Sequence, residues 1–338
     1  MDGNRLAALP PEITRSILRF ATDVPVAVDA SLETSLNEDP LETRALVEQS
    51  LDLKRTISLV SKSFHALVEE FLYEIILIRR PTGIARLVAH LREKRPGYTD
   101  RGWWVRRLEL DFEVSRTMMT WNAGWDTLWG LLSACAHLQV FRLAPRGSVR
   151  AQLQHRRYYY YDWCASCSAK LLRNLAVLHG RTLRRIEFGD NIVPQPDHFA
   201  QFLSLLPALE SSTALSIGYV GDTIADLGPT PEEDVSPWPE GLPEDSRLLH
   251  LHTLHMELGE LPRQLAAWRL PNLKHLHVVR ADDIPMDKHV FEFLRAHDCT
   301  IRSLYHERQE YNPFGRLWQR DPAGIGCSHT NNTITFIP

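Results

Sequence analysis

The side chains best able to do chemistry in this chain are its cysteines and histidines. Trp163-Cys164-Ala165-Ser166-Cys167 has the W-C-x-x-C spacing of a dithiol redox centre and precedes a helical pattern, where a helix N-terminus would depress a thiol pKa and yield a reactive thiolate. Thiol oxidoreductase chemistry on Cys164 and Cys167 is therefore one reading. Against it, the apolar strand signatures on either side leave no room for the compact redox fold such a motif requires. A zinc centre here would need four ligands, and His155 or Cys135 could join only by assumption. Fifteen histidines, among them His250, His252, His255, His275 and His277, raise a second metal question. Adjacent strands lie ~4.8 Å apart and could bring His255 near His277, but no carboxylate or cysteine completes the set by spacing. Polar residues on an exposed strand face are the more ordinary explanation. No G-x-x-x-x-G-K-S/T phosphate loop, H-E-x-x-H or G-x-S-x-G motif occurs. The sequence therefore predicts a chain that is not an enzyme, with no catalytic residue, no metal and no cofactor.

The elements that must position whatever this chain binds come from 338 residues, more than one compact core usually holds, so two domains or an extended repeat array are expected. With 44% apolar residues there is ample material for burial. No apolar run reaches the ~18 residues needed to cross a bilayer, and the start lacks a secretory apolar core. Five cysteines suit a reducing compartment better than a disulfide framework. The expectation is a soluble protein of the cytoplasm or nucleus with no membrane partner. Charge is segregated: residues 23–50 carry a net −6, residues 222–245 a net −8, and residues 79–107 a net +7. A solvated surface explains all three, and an acidic partner for the basic zone is the sharper alternative. A pI near 6.4 disfavours nucleic acid.

Helical periodicity opens the chain. In Leu9-Pro10-Pro11-Glu12-Ile13-Thr14-Arg15-Ser16-Ile17-Leu18, prolines at the entry lose nothing because first-turn amides are orphans, and Glu12 complements the helix dipole. Ile13, Ile17 and Leu18 form an apolar face that has to dock against something. An acidic insertion comes next, at 22–52, read as a loop with one helix. A second amphipathic run, either one helix or a helix broken once, starts near Leu53, with Ile57, Val60, Phe64, Leu67, Val68 and Phe71 at three- and four-residue steps. The β-branched Ile75-Ile76-Leu77-Ile78 then begins another architecture.

Leu9-Pro10-Pro11-Glu12-Ile13, Ile17-Leu18, Leu59-Val60-Ser61-Lys62-Ser63-Phe64 and Phe71-Leu72-Tyr73-Glu74 together resemble an F-box, in the divergent form of many fungal F-box proteins, over about the first 75 residues. The insertion after Ala21, and Phe64 where the family commonly has tryptophan, depart from the usual pattern. The resemblance implies a three-helix motif that binds a Skp-type adaptor, and through it a cullin-RING scaffold, in a ubiquitin ligase whose protein substrate is held by the region C-terminal to the motif. The adaptor-facing residues would be Leu9, Pro10, Ile13, Ile17, Leu59 and Val60. Independently, a small helical head with two apolar faces can bury only part of them internally.

Past residue 75 a signature L-x-x-L-x-L recurs at Val105/Leu108/Leu110, Leu138/Phe141/Leu143, Leu183/Ile186/Phe188, Leu251/Leu254/Met256 and Leu273/Leu276/Val278, with weaker copies at Leu215-x-Ile217, Ile301/Leu304 and Ile334-x-Phe336. Helical segments precede most copies. Such units stack into a parallel sheet with helices outside. Most of the spacings exceed those of regular leucine-rich repeats, so a distorted arc is expected. The residue between the last two apolar positions points away from the core. Glu109, Arg142, Glu187, Ser216, His255, His277 and Tyr305 should therefore line one inner face, the substrate-binding surface. His155-Arg156-Arg157-Tyr158-Tyr159-Tyr160-Tyr161 is either an interface loop or a packed strand. Trp121, Trp125 and Trp129 share a helical face expected in the core.

The fold class expected is α/β: a helical F-box head at 1–75, then an irregular leucine-rich-repeat-like solenoid with a parallel sheet at 76–338, interrupted by an acidic Pro-rich insertion at 222–245. The expected function is a ubiquitin-ligase substrate receptor; the alternative is a repeat scaffold that recruits no ligase.

Overall fold

The computed structural model describes residues 9–24, 40–93, 100–112, 122–144, 165–167, 169–189, 192–214, 240, 248–257, 268, 270–280, 288–297, 303–308 and 333–335. The chain is α/β and divides into two compact units, Met1–Phe112 with Trp121–Arg142, and Glu113–Thr120 with Leu143–Pro338.

The first unit opens with three helices. Helix α1 (Pro11–Thr22) starts on a proline and carries Glu12 in its first turn. Helix α2 (Pro40–Ser58) ends in a turn at Leu59 and Val60. Ser61 then caps α3 (Lys62–Glu74), its hydroxyl accepting the Phe64 amide at 3.1 Å. The run expected from Leu53 to Phe71 is thus two helices, because the extended backbone of Ser61 resets the chain. The first of them reaches back to residue 40, so the one helix expected within the insertion at 22–52 is the N-terminal part of α2 and runs on without a break into the apolar run. The three helices meet over Leu18, Val68 and Phe71, with Ile57, Phe64, Leu67 and Leu72 packed around them. Phe64 is therefore a core contact of the head.

Strands β1 (Ile75–Ile78), β2 (Arg107–Leu110) and β3 (Val140–Leu143) lie in that order. β1 and β2 are parallel, with Ile75 opposite Arg107 and Leu77 opposite Glu109. Glu74 runs directly from α3 into β1, and its carbonyl accepts the Arg106 amide at 3.0 Å, so the head and the first strands share one compact unit. Helices α4 (Ile84–Leu91) and α5 (Asn122–Ala134) pack on each other. Leu91, Leu108, Leu131, Leu138 and Phe141 are fully buried in this unit. A Cβ on Gly102 would collide with the Ala134 carbonyl, so glycine is what lets the 3-10 turn Arg101–Trp104 approach the end of α5. On α5, Trp129 is exposed, which corrects its expected place in the core: helical spacing identifies a face but not which way it turns.

In the second unit the strand order is β5 (Arg185–Phe188), β7 (Ser211–Ala214), β8 (Thr253–Glu257), β9 (His275–Arg280), β10 (Ser303–Arg308) and β11 (Thr333–Thr335), with β4 (Ala165–Cys167) and β6 (Ile192–Pro194) as a separate parallel pair. Pairs from β5 to β10 are parallel. Helix α6 (Ala169–His179) precedes β5, α7 (Pro196–Ser204) precedes β7 and α8 (Lys288–His297) precedes β10. The same connection recurs before successive strands: the Glu210 amide donates to the Arg184 carbonyl at 2.7 Å, His252 to Glu210 at 2.9 Å and Lys274 to His252 at 2.9 Å. Ile186, Ser212, Leu254 and Leu276 stand in one register row and are all fully buried.

The weak repeat copy at Leu215-x-Ile217 lies outside the described residues; just before it, Ser211–Ala214 is a strand in which Leu209 is the buried first position and small residues stand where the other copies have apolar ones. The strand at Thr333–Thr335 pairs antiparallel with β10 and so does not continue the parallel pattern.

Candidate functional site

Helix α1 buries a stripe of two threonines and one leucine. Thr14, Leu18 and Thr22, at four-residue steps, are buried. The threonine hydroxyls donate within the helix, Thr14 to the Pro10 carbonyl at 3.3 Å and Thr22 to the Leu18 carbonyl at 2.8 Å, so their burial leaves no orphan donor. Ser50 of α2 donates to the Thr22 carbonyl at 2.6 Å, satisfying one of the helix-end acceptors. Arg15 pairs with Glu70 at 2.9 Å and Arg19 with Glu74 at 2.9 Å, while the Arg19 guanidinium lies 5.4 Å from the Phe71 ring centre. Two ion pairs to α3 and two buried threonines thus fix the rotation of α1 about its axis.

That rotation turns the apolar residues outward. Ile13 is 48% exposed, Ile17 47%, Phe20 89% and Leu9 38%, with Pro10 also exposed. At the turn between α2 and α3, Leu59 is 86% and Val60 66% exposed. All six residues assigned to the adaptor face are therefore on the surface of the first unit. The expected single face of Ile13, Ile17 and Leu18 splits: Leu18 joins the core and the isoleucines face out. Phe20 was missed in the sequence. Its signal is the i, i+4, i+7 spacing of Ile13, Ile17 and Phe20, which makes one stripe.

Beneath this helix lies Lys54 of α2, which is buried. Burial pushes its pKa down, with Glu74 and Asp23 opposing and Arg19 adding to the depression. Glu74 in turn holds Arg19 at 2.9 Å and Arg106 at 3.9 Å.

The residues expected on the substrate surface fall into two groups. In the second unit Glu187 is opposite Thr213, Thr213 opposite His255, His255 opposite His277, and His277 opposite Tyr305. Four of the expected positions thus form one row across five strands, with Thr213 where Ser216 had been placed. Ser216 itself, like the Tyr158–Tyr161 run, lies outside the described residues. Glu187, Thr213 and His255 are half-buried, and Glu187 pairs with Arg185 at 2.5 Å. Arg142, on β3, is half-buried.

Glu109 is a correction. It is 2% exposed and accepts from Arg107 Nε at 2.6 Å. Its face of the sheet carries Ile75 and Leu77, which pack on Val24, Val47 and Leu51, and Arg44 of α2 pairs there with Asp111. Helix α2 covers the strand face that the sequence pattern left open, so Glu109 is a buried ion-pair partner and no part of an exposed docking surface. The basic zone at 79–107 is divided the same way. Arg101 and Arg107 are buried, Arg101 pairing with Glu69 at 2.9 Å and with Glu93. Arg79, Arg80, Arg86, Arg92 and Arg106 are exposed.

Thiol chemistry finds no support in the surroundings of Cys167. It is buried, and burial pushes its thiol pKa up to about 12, opposite to what a nucleophilic thiolate needs. Cys164 lies outside the described residues. Cys135 is likewise buried and raised to about 12. Among the described residues, no group of three or more His, Cys, Asp or Glu is placed to hold a metal ion, and no helix is long and apolar enough to cross a membrane.

No family model matches this chain, and no curated protein matches it.

Proposed function

We propose that this protein is the substrate receptor of a Skp-cullin-F-box ubiquitin ligase, its N-terminal helices forming an F-box head and its strands an irregular leucine-rich-repeat-like arc. The observation that carries the proposal is the exposed apolar stripe of α1: the helix buries Thr14, Leu18 and Thr22 and pairs Arg15 and Arg19 with α3, so that Leu9, Pro10, Ile13 and Ile17 face solvent, as does the Leu59-Val60 turn. Exposed aliphatic clusters of this kind mark protein interfaces. Each large side chain covered by a Skp-type adaptor would contribute up to about 1.5–3 kcal/mol, scaled by the fraction still exposed in the free chain.

In this scheme the second unit holds a protein substrate through the polar row of Glu187, His255, His277 and Tyr305. The chain performs no bond chemistry. It raises the effective concentration of a substrate lysine near the charged conjugating enzyme.

The direct test is co-expression with a Skp-type adaptor and then size-exclusion chromatography. The wild-type chain should co-elute with the adaptor, and a Leu9→Ala, Pro10→Ala, Ile13→Ala variant should elute alone with unchanged circular dichroism. Separate elution of the wild type would leave a repeat scaffold that recruits no ligase.

A further inference from the structure

We propose that the open edge of β1 is a docking groove for an extended acidic peptide of a partner protein, which adds to the sheet as one more strand. β1 ends the sheet, with β2 on one side of it. The Ile78 carbonyl accepts the Asp111 amide at 2.7 Å and the Glu74 carbonyl accepts the Arg106 amide at 3.0 Å, so the even-numbered residues here turn their main-chain groups to β2. Alternation turns the amide and carbonyl of Leu77, and the carbonyl of Ile75, to the other edge, where no strand lies among the described residues. A strand edge left open in this way is a template for pairing with another chain.

A cleft of about 330 Å³ follows that edge, between α2 and α4. Leu51 of α2, Leu72 of α3, and Ile84 and Leu87 of α4 make its walls apolar. Its charge has one sign: Arg55, Arg79 and Arg80 line it, and among the described residues no acidic side chain does. Arg79 pairs with Glu48 at 2.8 Å and Arg55 with Asp52 at 2.9 Å, both on the surface, where such pairs are weak and a partner's carboxylates can replace them. Arg80 is exposed as well. Charge complementarity therefore selects an acidic strand, and the walls select aliphatic side chains between its carboxylates. A second copy of this edge would bring the same three guanidinium groups and be repelled. None of the groove residues belongs to the exposed stripe of α1, so the site stands whether or not an adaptor binds there.

The test is fluorescence anisotropy of the full chain with a fluorescein-labelled peptide of alternating glutamate and valine, beside its lysine-valine counterpart. The acidic peptide should bind and the basic one should not. Arg79→Glu with Arg80→Glu should weaken binding roughly tenfold or more, whereas Lys62→Glu, exposed at the opposite end of α3, should leave it unchanged. Leu77→Pro, which removes the outward amide from an edge strand, should abolish binding. N-methylation of the peptide, either at every glutamate or at every valine, separates strand pairing from charge alone. Only alternate amides of an added strand face β1, so one form should bind like the parent and the other should not. This comparison uses the wild-type chain and holds even if Leu77→Pro fails to fold. A wild-type chain that ignores the acidic peptide or takes the basic one equally well, two N-methylated forms that behave alike, or a dimer of this chain that Leu77→Pro dissolves, overturns the proposal.

Discussion

Replacing Ile13, Ile17 and Phe20 together by alanine separates a face kept for a partner from one that the chain covers itself. In the free protein each isoleucine is about half exposed, so truncation removes roughly 1 kcal/mol of burial apiece, and Phe20 at 89% exposure loses almost nothing. Alanine recovers about 0.4 kcal/mol of helix propensity at each position. The net cost to the free chain is therefore small, about 1 kcal/mol. Leu18→Ala, one residue from Ile17 but 6% exposed between Val68 and Phe71, should cost about 2–5 kcal/mol. Toward the adaptor the order reverses. Covering the open half of both isoleucines and nearly the whole phenyl ring is worth about 4 kcal/mol, so the triple variant should bind roughly a thousandfold more weakly. Urea unfolding of both variants and calorimetric titration with the adaptor supply the two numbers. A triple variant as destabilised as Leu18→Ala would show that the chain buries this stripe itself, and an unchanged affinity would remove α1 from the interface.

Two other perturbations probe charges buried in the same unit. Lys54→Met should stabilise the chain by about 1–2 kcal/mol at neutral pH, because Glu74 keeps Arg19 as a partner and a buried ammonium is exchanged for a thioether. The folded pKa of Lys54 is depressed below the 10.5 of an unperturbed lysine, so the unfolded state binds the proton more readily. The charge penalty is thus fully present below the depressed value and shrinks as pH climbs from there toward 10.5; denaturation at neutral and alkaline pH should show the gap between wild type and variant narrowing, and a widening gap would contradict it. Glu109→Gln removes the carboxylate charge 2.6 Å from Arg107, which is 0% exposed, and should cost about 3 kcal/mol of stability; little change in unfolding free energy would put Glu109 outside the core network.

Much of the head was legible because it obeys local rules. The prolines and Glu12 mark the start of α1, and the apolar steps from Ile57 to Phe71 mark a core-forming run. The break within that run depends on one hydroxyl, Ser61, whose capping role was hidden among Ser61, Lys62 and Ser63. In the second unit the strong signatures at 183–188, 251–256 and 273–278 each contain a strand, because a parallel sheet needs inward aliphatics at fixed intervals. Ser211–Ala214 escaped because serine and alanine are small enough to be buried there without apolar bulk.

What the sequence determined by itself is therefore the spacing of side chains along each element: which residues share a stripe, and which alternate across a strand. Tertiary structure alone decided which stripe is covered. Nothing in the spacing of Thr14, Leu18 and Thr22 against Ile13, Ile17 and Phe20 says that the threonine side faces in; the ion pairs from Arg15 and Arg19 to α3 choose it, across some fifty residues of chain. Nothing near Glu109 says that it is buried; α2 lies over that strand face, and Arg44 reaches Asp111 across 67 positions. Periodicity is a property of one element, whereas burial belongs to a pair of elements, and the pairing is set by contacts between residues far apart in the chain.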